Sequence, residues 1–347
     1  MNNEKQIIND IEQNLKLLKK GSLKIGPKDL EKKWDFLVTE EPKKFINQDL
    51  TLKIDVLRNF RKLRLFIPDE PAFDASVLNM RSHISGHRRG IKRLLSYSLD
   101  VIKKYGYTSL LTKYPVNEIG NPNVFKSEGY TYTYRWLKHI YSLGLINNIL
   151  ENKIQDGFVT LDIGSSYGVF DYLFKKEYPN CCSVLLDFPE QLVLAHYYLG
   201  MSFPEAKIAG YKEILGEDKL DRAFFNNYDF VLVPLSLYNR IAPKSIDLVV
   251  NFASFGEMRR EWFDYYVKAE PFLSAKYFFT ENRFQSAPTY DTDITILDYP
   301  LLDFKKLHFG ICPIFSHVYK RKLLFFYERL YFTSQYFEFI GERKQVC

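Results

Sequence analysis

The stretch Thr160-Leu-Asp162-Ile-Gly164-Ser-Ser166-Tyr-Gly168-Val-Phe170 decides the fold. With Phe158 and Val159 before it, its first half is a short apolar run rich in β-branched residues, the pattern of a buried strand. Gly164 stops that strand, and Val169 to Tyr178 reads as a helix. Strand, tight glycine turn and helix place backbone N–H groups and a helix N-terminus at the carboxyl edge of a sheet. Doubly wound folds bind ligands there. The glycines are spaced Gly-x-x-x-Gly, with Ser165 and Ser166 between them, so the dinucleotide fingerprint G-x-G-x-x-G is not met. Asp162 lies two residues before the first glycine. An acid at that place suits S-adenosylmethionine, which carries no phosphate and whose cationic methionine end welcomes a carboxylate. A nicotinamide cofactor on the same fold, a cofactor-free binding protein and a purely structural turn are the alternatives.

Working outward, Ser183-Val-Leu-Leu-Asp187 is a second strand and Pro189 to Gly200 a second helix. Asp187 ends its strand 19 residues after Gly168, close to the spacing at which an acidic residue meets ribose hydroxyls. Asp229 to Val233, Asp247 to Asn251 and Lys276 to Thr280 add three strands. Strands alternating with helices imply crossovers and a mostly parallel sheet covered on both faces. The aromatic, alternating tail from Lys322 to Ile340 suggests an antiparallel hairpin at the sheet edge. Residues 1–150 are expected to form a mostly helical region, an acceptor lid or a dimer interface. Ile7, Ile8, Ile11, Leu15 and Leu18 share one helical face, and further helices are expected at 29–38, 52–66, 91–105 and 132–150. Residues 151–347 are expected to form the α/β domain.

Composition narrows the class. The 347 residues are 46% hydrophobic and 26% charged, which allows a sizeable core and excludes disorder as the chain's main character. No run approaches the ~18 uninterrupted apolar residues of a membrane span. The start lacks an apolar leader, so a cytoplasmic location is expected. The four cysteines form no Cys-x-x-Cys pair, so neither a disulfide scaffold nor a zinc ribbon is expected, and no metal site is assigned. The net charge of +6 permits an anionic partner, such as a nucleotide sugar, a phosphorylated glycan, RNA or an anionic membrane face, without selecting one.

Three further stretches carry candidate chemistry. After the strand ending at Asn251, Ser254 and Glu257 reach the same sheet edge as Gly164, with Glu257 suited to act as general base or sugar ligand. The same pair also reads as a capping box. Met80 to Arg93 gathers five Arg or Lys with His83 and His87. Arg81 and Arg88 suit an anionic acceptor and His83 suits a base, while a solvated basic helix start is the plain alternative. Stable nucleic-acid binding is not expected, because no aromatic residues interleave the basic ones. Asp291 and Asp293 could hold Mg²⁺ through oxygen ligands, but read first as an N-cap for the segment 294–302, and His308 and His317 read as structural.

Gly120-Asn-Pro122, Leu161 to Gly168, Leu186-Asp-Phe-Pro189, His196-Tyr-Tyr-Leu199 and Val250 to Met258 together resemble the bacterial sugar O-methyltransferase family, a class I S-adenosylmethionine-dependent group. The matching pieces cover roughly residues 117 to 260. Where that family commonly has Gly-Gly after the first glycine, this chain has Ser165-Ser166. The resemblance implies a Rossmann-like sheet and methyl transfer to a sugar hydroxyl in surface-glycan synthesis. It implies cofactor contacts at Asp162, Gly164, Ser165, Ser166, Gly168, Asp187 and Asn251. It also implies acceptor contacts at Asn121 and Ser254 beside Arg81 and Arg88.

Overall fold

The computed structural model describes residues 2–20, 42–65, 69, 85–287, 290, 292–316, 318–323, 327–332 and 335–344. The first helix, Asn2–Lys20, buries Ile7, Ile8, Ile11 and Leu15, the face its periodicity predicts. The expected helix at 52–66 is only Ile54–Arg58 followed by turns, and that expected at 29–38 lies outside the described residues. A small hairpin, β1 (Phe125–Ser127) and β2 (Tyr130–Tyr132), interrupts the helical region. Glu128 and Gly129 form its tip, both at positive φ. The helix Tyr134–Leu150 follows, with Thr133 Oγ1 accepting from the Trp136 N–H as N-cap.

The central sheet begins with β3 (Val159–Ile163) and β4 (Cys182–Asp187). It continues through β5 (Ile208–Ala209), β6 (Phe230–Pro234), β7 (Leu248–Phe252), β8 (Tyr277–Arg283) and β9 (Phe304–Ile311). β10 (Val318–Leu323) and β11 (Tyr327–Phe332) form an antiparallel hairpin that is a two-stranded sheet of its own. The chain then returns as β12 (Tyr336–Arg343). The eight-stranded order is β5-β6-β4-β3-β7-β8-β12-β9, with β12 antiparallel to both neighbours and the other pairs parallel. Order reverses at β3, which lies between β4 and β7, so the switch point falls on Gly164. This is the Rossmann-like, class I methyltransferase-like arrangement, with an antiparallel strand inserted next to the last.

Apolar cores lie on both faces of the sheet. β3 and β4 are buried along their whole length, as strands covered on both faces must be. Leu161 is fully buried, and truncating it to Ala would cost about 2–5 kcal/mol. β9 escaped the pattern reading for a physical reason. It sits at the sheet edge with Lys305, Lys306, Phe309 and Ile311 exposed, so it lacks a clean buried face.

Candidate active site

Three alternating residues of the turn after β3 have positive φ: Gly164 (81°), Ser166 (54°) and Gly168 (80°). Only Gly adopts that region without strain, so Ser166 is held there by its surroundings. Its N–H donates to Asp187 Oδ2 at 2.7 Å, and its Oγ accepts from Arg135 Nη1 at 3.1 Å. At Gly164 a Cβ would overlap Ser254 Oγ and lie 2.8 Å from Ser254 Cβ, so the loop after β7 closes directly onto the turn. Asp187 is buried, and its Oδ1 accepts from the Phe188 N–H at 2.7 Å. Burial pushes its carboxyl up to about 7 despite the two amides that favour the ionised form.

Asp162 points into the core beneath the turn, beside Asp171 of the helix Val169–Glu177. Burial first, then the charges of Asp171 and Asp187, hold the Asp162 carboxyl well above the usual range. Two carboxyls this close inside a core cannot both ionise cheaply. Asp162 Oδ1 and Ser165 Oγ are buried without a hydrogen-bond partner.

Asn251 is fully buried and joins three segments. Its Nδ2 donates to the Ile163 carbonyl at 2.6 Å, and its Oδ1 accepts from the Phe255 N–H at 3.0 Å and from Asn282 Nδ2 at 2.8 Å. It therefore locks the end of β3 to the loop after β7. Ala253 in that loop has φ 59°, a second strained non-glycine residue at the switch point. The capping box suggested for Ser254 and Glu257 does not form. The short turn Phe255–Glu257 is capped instead by Asn251 and by Asn282 Oδ1, which accepts from the Gly256 N–H at 3.1 Å. Glu257 pairs with Arg283 at 2.7 Å.

Two basic residues that sequence reasoning missed lie in the first two turns of the helix Tyr134–Leu150. Arg135 reaches the turn after β3 as described and forms an ion pair with Asp69 at 3.7 Å. Asp69 also pairs with Arg61 at 2.7 Å and accepts from the Tyr167 hydroxyl. Lys138 stands over the rings of Tyr134 at 4.3 Å and Phe315 at 4.0 Å, and Phe315 stacks on Tyr336 at 4.4 Å. Burial, then the charge of Arg135, brings the Lys138 ammonium down to about 7. The signal was available. Arg135, Lys138 and His139 cluster at a helix N-terminus, where the macrodipole disfavours cations, on an otherwise apolar helix.

A cavity of about 510 Å³ opens at the carboxyl ends of β4 and β6. Pro189, Glu190, Pro234, Leu235 and Ser236 form its sheet side, and Leu15, Leu18 and residues 42–50 form its roof. Glu190 Oε2 is buried there without a partner, and burial raises its carboxyl. Asn121, at φ 53°, is exposed and hydrogen-bonded to Asn59 at 2.7 Å. Arg81, His83, Asp291 and His317 lie outside the described residues, and Arg88 lies on the helix Ser85–Lys104. The structure thus brings Gly164, Ser166, Asp187, Asn251 and Ser254 together at one edge, with Glu257 just beyond.

Among solved structures the chain is similar in fold to precorrin-6y C5,15-methyltransferase from Geobacter metallireducens (12% identity, covering 67% of this chain and 100% of that one, TM-score 0.34). It is similar to TehB from Haemophilus influenzae (9%, 62% and 69%, TM-score 0.38). It is also similar to a SAM-dependent methyltransferase from Anabaena variabilis (11%, 71% and 94%, TM-score 0.35). These likenesses concern fold alone, and the class of the fold rests on the strand order above. No protein-family model and no curated protein matches the sequence. Among the described residues, no helix is long and apolar enough to cross a membrane.

Proposed function

We propose that this chain is an S-adenosylmethionine-dependent O-methyltransferase acting on a sugar hydroxyl of a nucleotide sugar or surface glycan. The observation that carries the reading is the convergence of the strained turn Gly164–Gly168, Asp187 and Arg135 at the switch point. The residues fit the cofactor. Ser165 Oγ and Glu190 Oε2 are orphaned polar atoms at the turn and in the adjoining cavity.

The cofactor, when bound, supplies an electrophilic methyl group. Arg135, already at the turn, is suited to hold a carboxylate with its planar fork. Each Asp187 oxygen accepts one backbone N–H but has two lone pairs, so ribose hydroxyls can still donate to it. The cavity beside Pro189 and Pro234 takes a flat apolar base, with Glu190 facing an exocyclic amine. Asn251 positions the turn through the Ile163 carbonyl.

On the acceptor side, Lys138 and Arg283 flank the stacked rings of Phe315 and Tyr336. Glu257, oriented by Arg283, accepts from a sugar hydroxyl, and neutral Lys138 takes the proton. Orientation supplies most of the remaining rate.

Calorimetric titration with S-adenosylhomocysteine, with NAD as the parallel ligand, tests the cofactor. Micromolar binding of the former that Asp187→Ala abolishes supports the reading. Binding of NAD alone, or of neither ligand to folded protein, would sink it. Transfer of labelled methyl across a panel of nucleotide sugars tests the acceptor.

A further inference from the structure

Behind the acceptor side, Glu281 of β8 and Glu338 of β12 face each other as a register pair across two antiparallel strands. Cys312, just past β9, is tied to the same place by its N–H, which donates to the Tyr336 carbonyl at 2.9 Å. Glu281 and Cys312 are fully buried, and Glu338 is 2% exposed. One carboxylate oxygen of each glutamate and the cysteine sulfur lie within 4.8 Å of one another. The helix Tyr134–Leu150 covers them. Ser142 Oγ donates to Glu281 Oε1 at 2.8 Å, and Tyr141 donates to Glu338 at 2.9 Å. Glu281 Oε2 is buried with no partner at all. Among the described residues, no Lys or Arg nitrogen pairs with either carboxylate, and Lys138 is engaged over aromatic rings. Two carboxylates in that setting cost several kcal/mol each unless a cation or shared protons compensate them.

We propose that Glu281, Cys312 and Glu338 bind a zinc-class divalent cation. The donor set decides the metal. A thiolate with two carboxylates suits Zn²⁺, whereas Mg²⁺ and Ca²⁺ take oxygen donors alone. His308 Nε2, 2.8 Å from Glu338 Oε1, orients that ligand from behind, as the outer partners of metal carboxylates do. Binding forms a metal–sulfur bond, and the Cys312 thiol proton and any proton shared by the glutamates leave to solvent. The ion clamps inserted β12 to β8 and to the chain after β9. It thereby fixes Arg283, two residues along β8 from Glu281, and the floor under Lys138. The site needs no cofactor and stands apart from the methyl-transfer reading.

The test titrates Co²⁺ into the full-length, metal-stripped protein and follows the thiolate-to-cobalt charge-transfer band. The expected result is one equivalent bound with that band, displaced by Zn²⁺. Cys312→Ser should remove the band, and His308→Ala should weaken binding by roughly 10-fold or more. Zn²⁺ should raise the Tm of the wild-type protein and leave that of Glu338→Gln unchanged. No band in the wild-type protein would overturn the proposal and leave a proton-sharing acid pair. A band undiminished in Cys312→Ser would overturn it too, by placing the metal elsewhere. The wild-type titration decides even if a variant fails to fold.

Discussion

The Ser166 N–H donates to Asp187 Oδ2 at 2.7 Å, so the turn after β3 hangs on the acid that ends β4. On the proposed reading, one residue thereby both shapes the turn and presents lone pairs to a ribose. Asp187→Asn puts an amide where a carboxylate accepts two N–H groups. Hydrogen bonds to a charged group are worth about 1.5–3 kcal/mol, so S-adenosylhomocysteine affinity should fall roughly 10- to 100-fold. Because burial holds Asp187 near 7, wild-type affinity should rise as pH increases from 6 to 8 and the carboxylate forms. Calorimetry at several pH values reads both effects, and a flat profile in Asp187→Asn assigns the dependence.

Gly164 is required by geometry twice over. Its φ is 81°, and the Cβ position is taken by Ser254. Gly164→Ala should destabilise the protein by more than about 1 kcal/mol in urea melts. Ser254→Gly removes the clash but not the backbone strain, so the double variant should recover part of the loss. An additive cycle would show that the two loops do not press on each other.

The Asp162–Asp171 pair makes a stability prediction with a definite sign. Burial raises both carboxyls above their unfolded values, so the folded chain keeps protons that the unfolded chain has lost. Stability should be fully present below about pH 4 on this account and fall as pH rises toward 7. Asp171→Asn keeps the shape without the charge. It should flatten that slope and stabilise the protein at pH 7.5 by roughly 1 kcal/mol or more, since a tenfold difference in protonation is worth about 1.4 kcal/mol. Urea melts across the pH range check it.

The sheet was legible because its strands are buried on both faces, so β3, β4, β6, β7 and β8 announce themselves as apolar runs. β9 and the β1–β2 hairpin were not, because their residues are half exposed and carry no clear period. The glycine turn and Asp187 were legible by spacing. Arg135 and Lys138 were not read as site residues, because a helix's contacts depend on where it docks. Asn251 was legible as important, but its role as a lock on Ile163, Phe255 and Asn282 exists only in three dimensions.

Arg135 and Lys138, one turn apart, should be separable kinetically. Arg135→Gln removes the contact to Ser166 Oγ and a guanidinium fork for a carboxylate. It should raise the KM for the cofactor by roughly 10-fold or more. Lys138→Met keeps the packing over Phe315 and removes the proton acceptor. It should lower kcat by about 100-fold with little change in cofactor affinity. The wild-type kcat should rise with pH through about 7, as the buried ammonium loses its proton. After burial, the nearby Arg135 charge helps to hold that value low, so Arg135→Gln should move the acid limb of the kcat profile to higher pH. An unmoved limb would mean that Lys138 does not set it, and Glu257 would become the proton acceptor to test next.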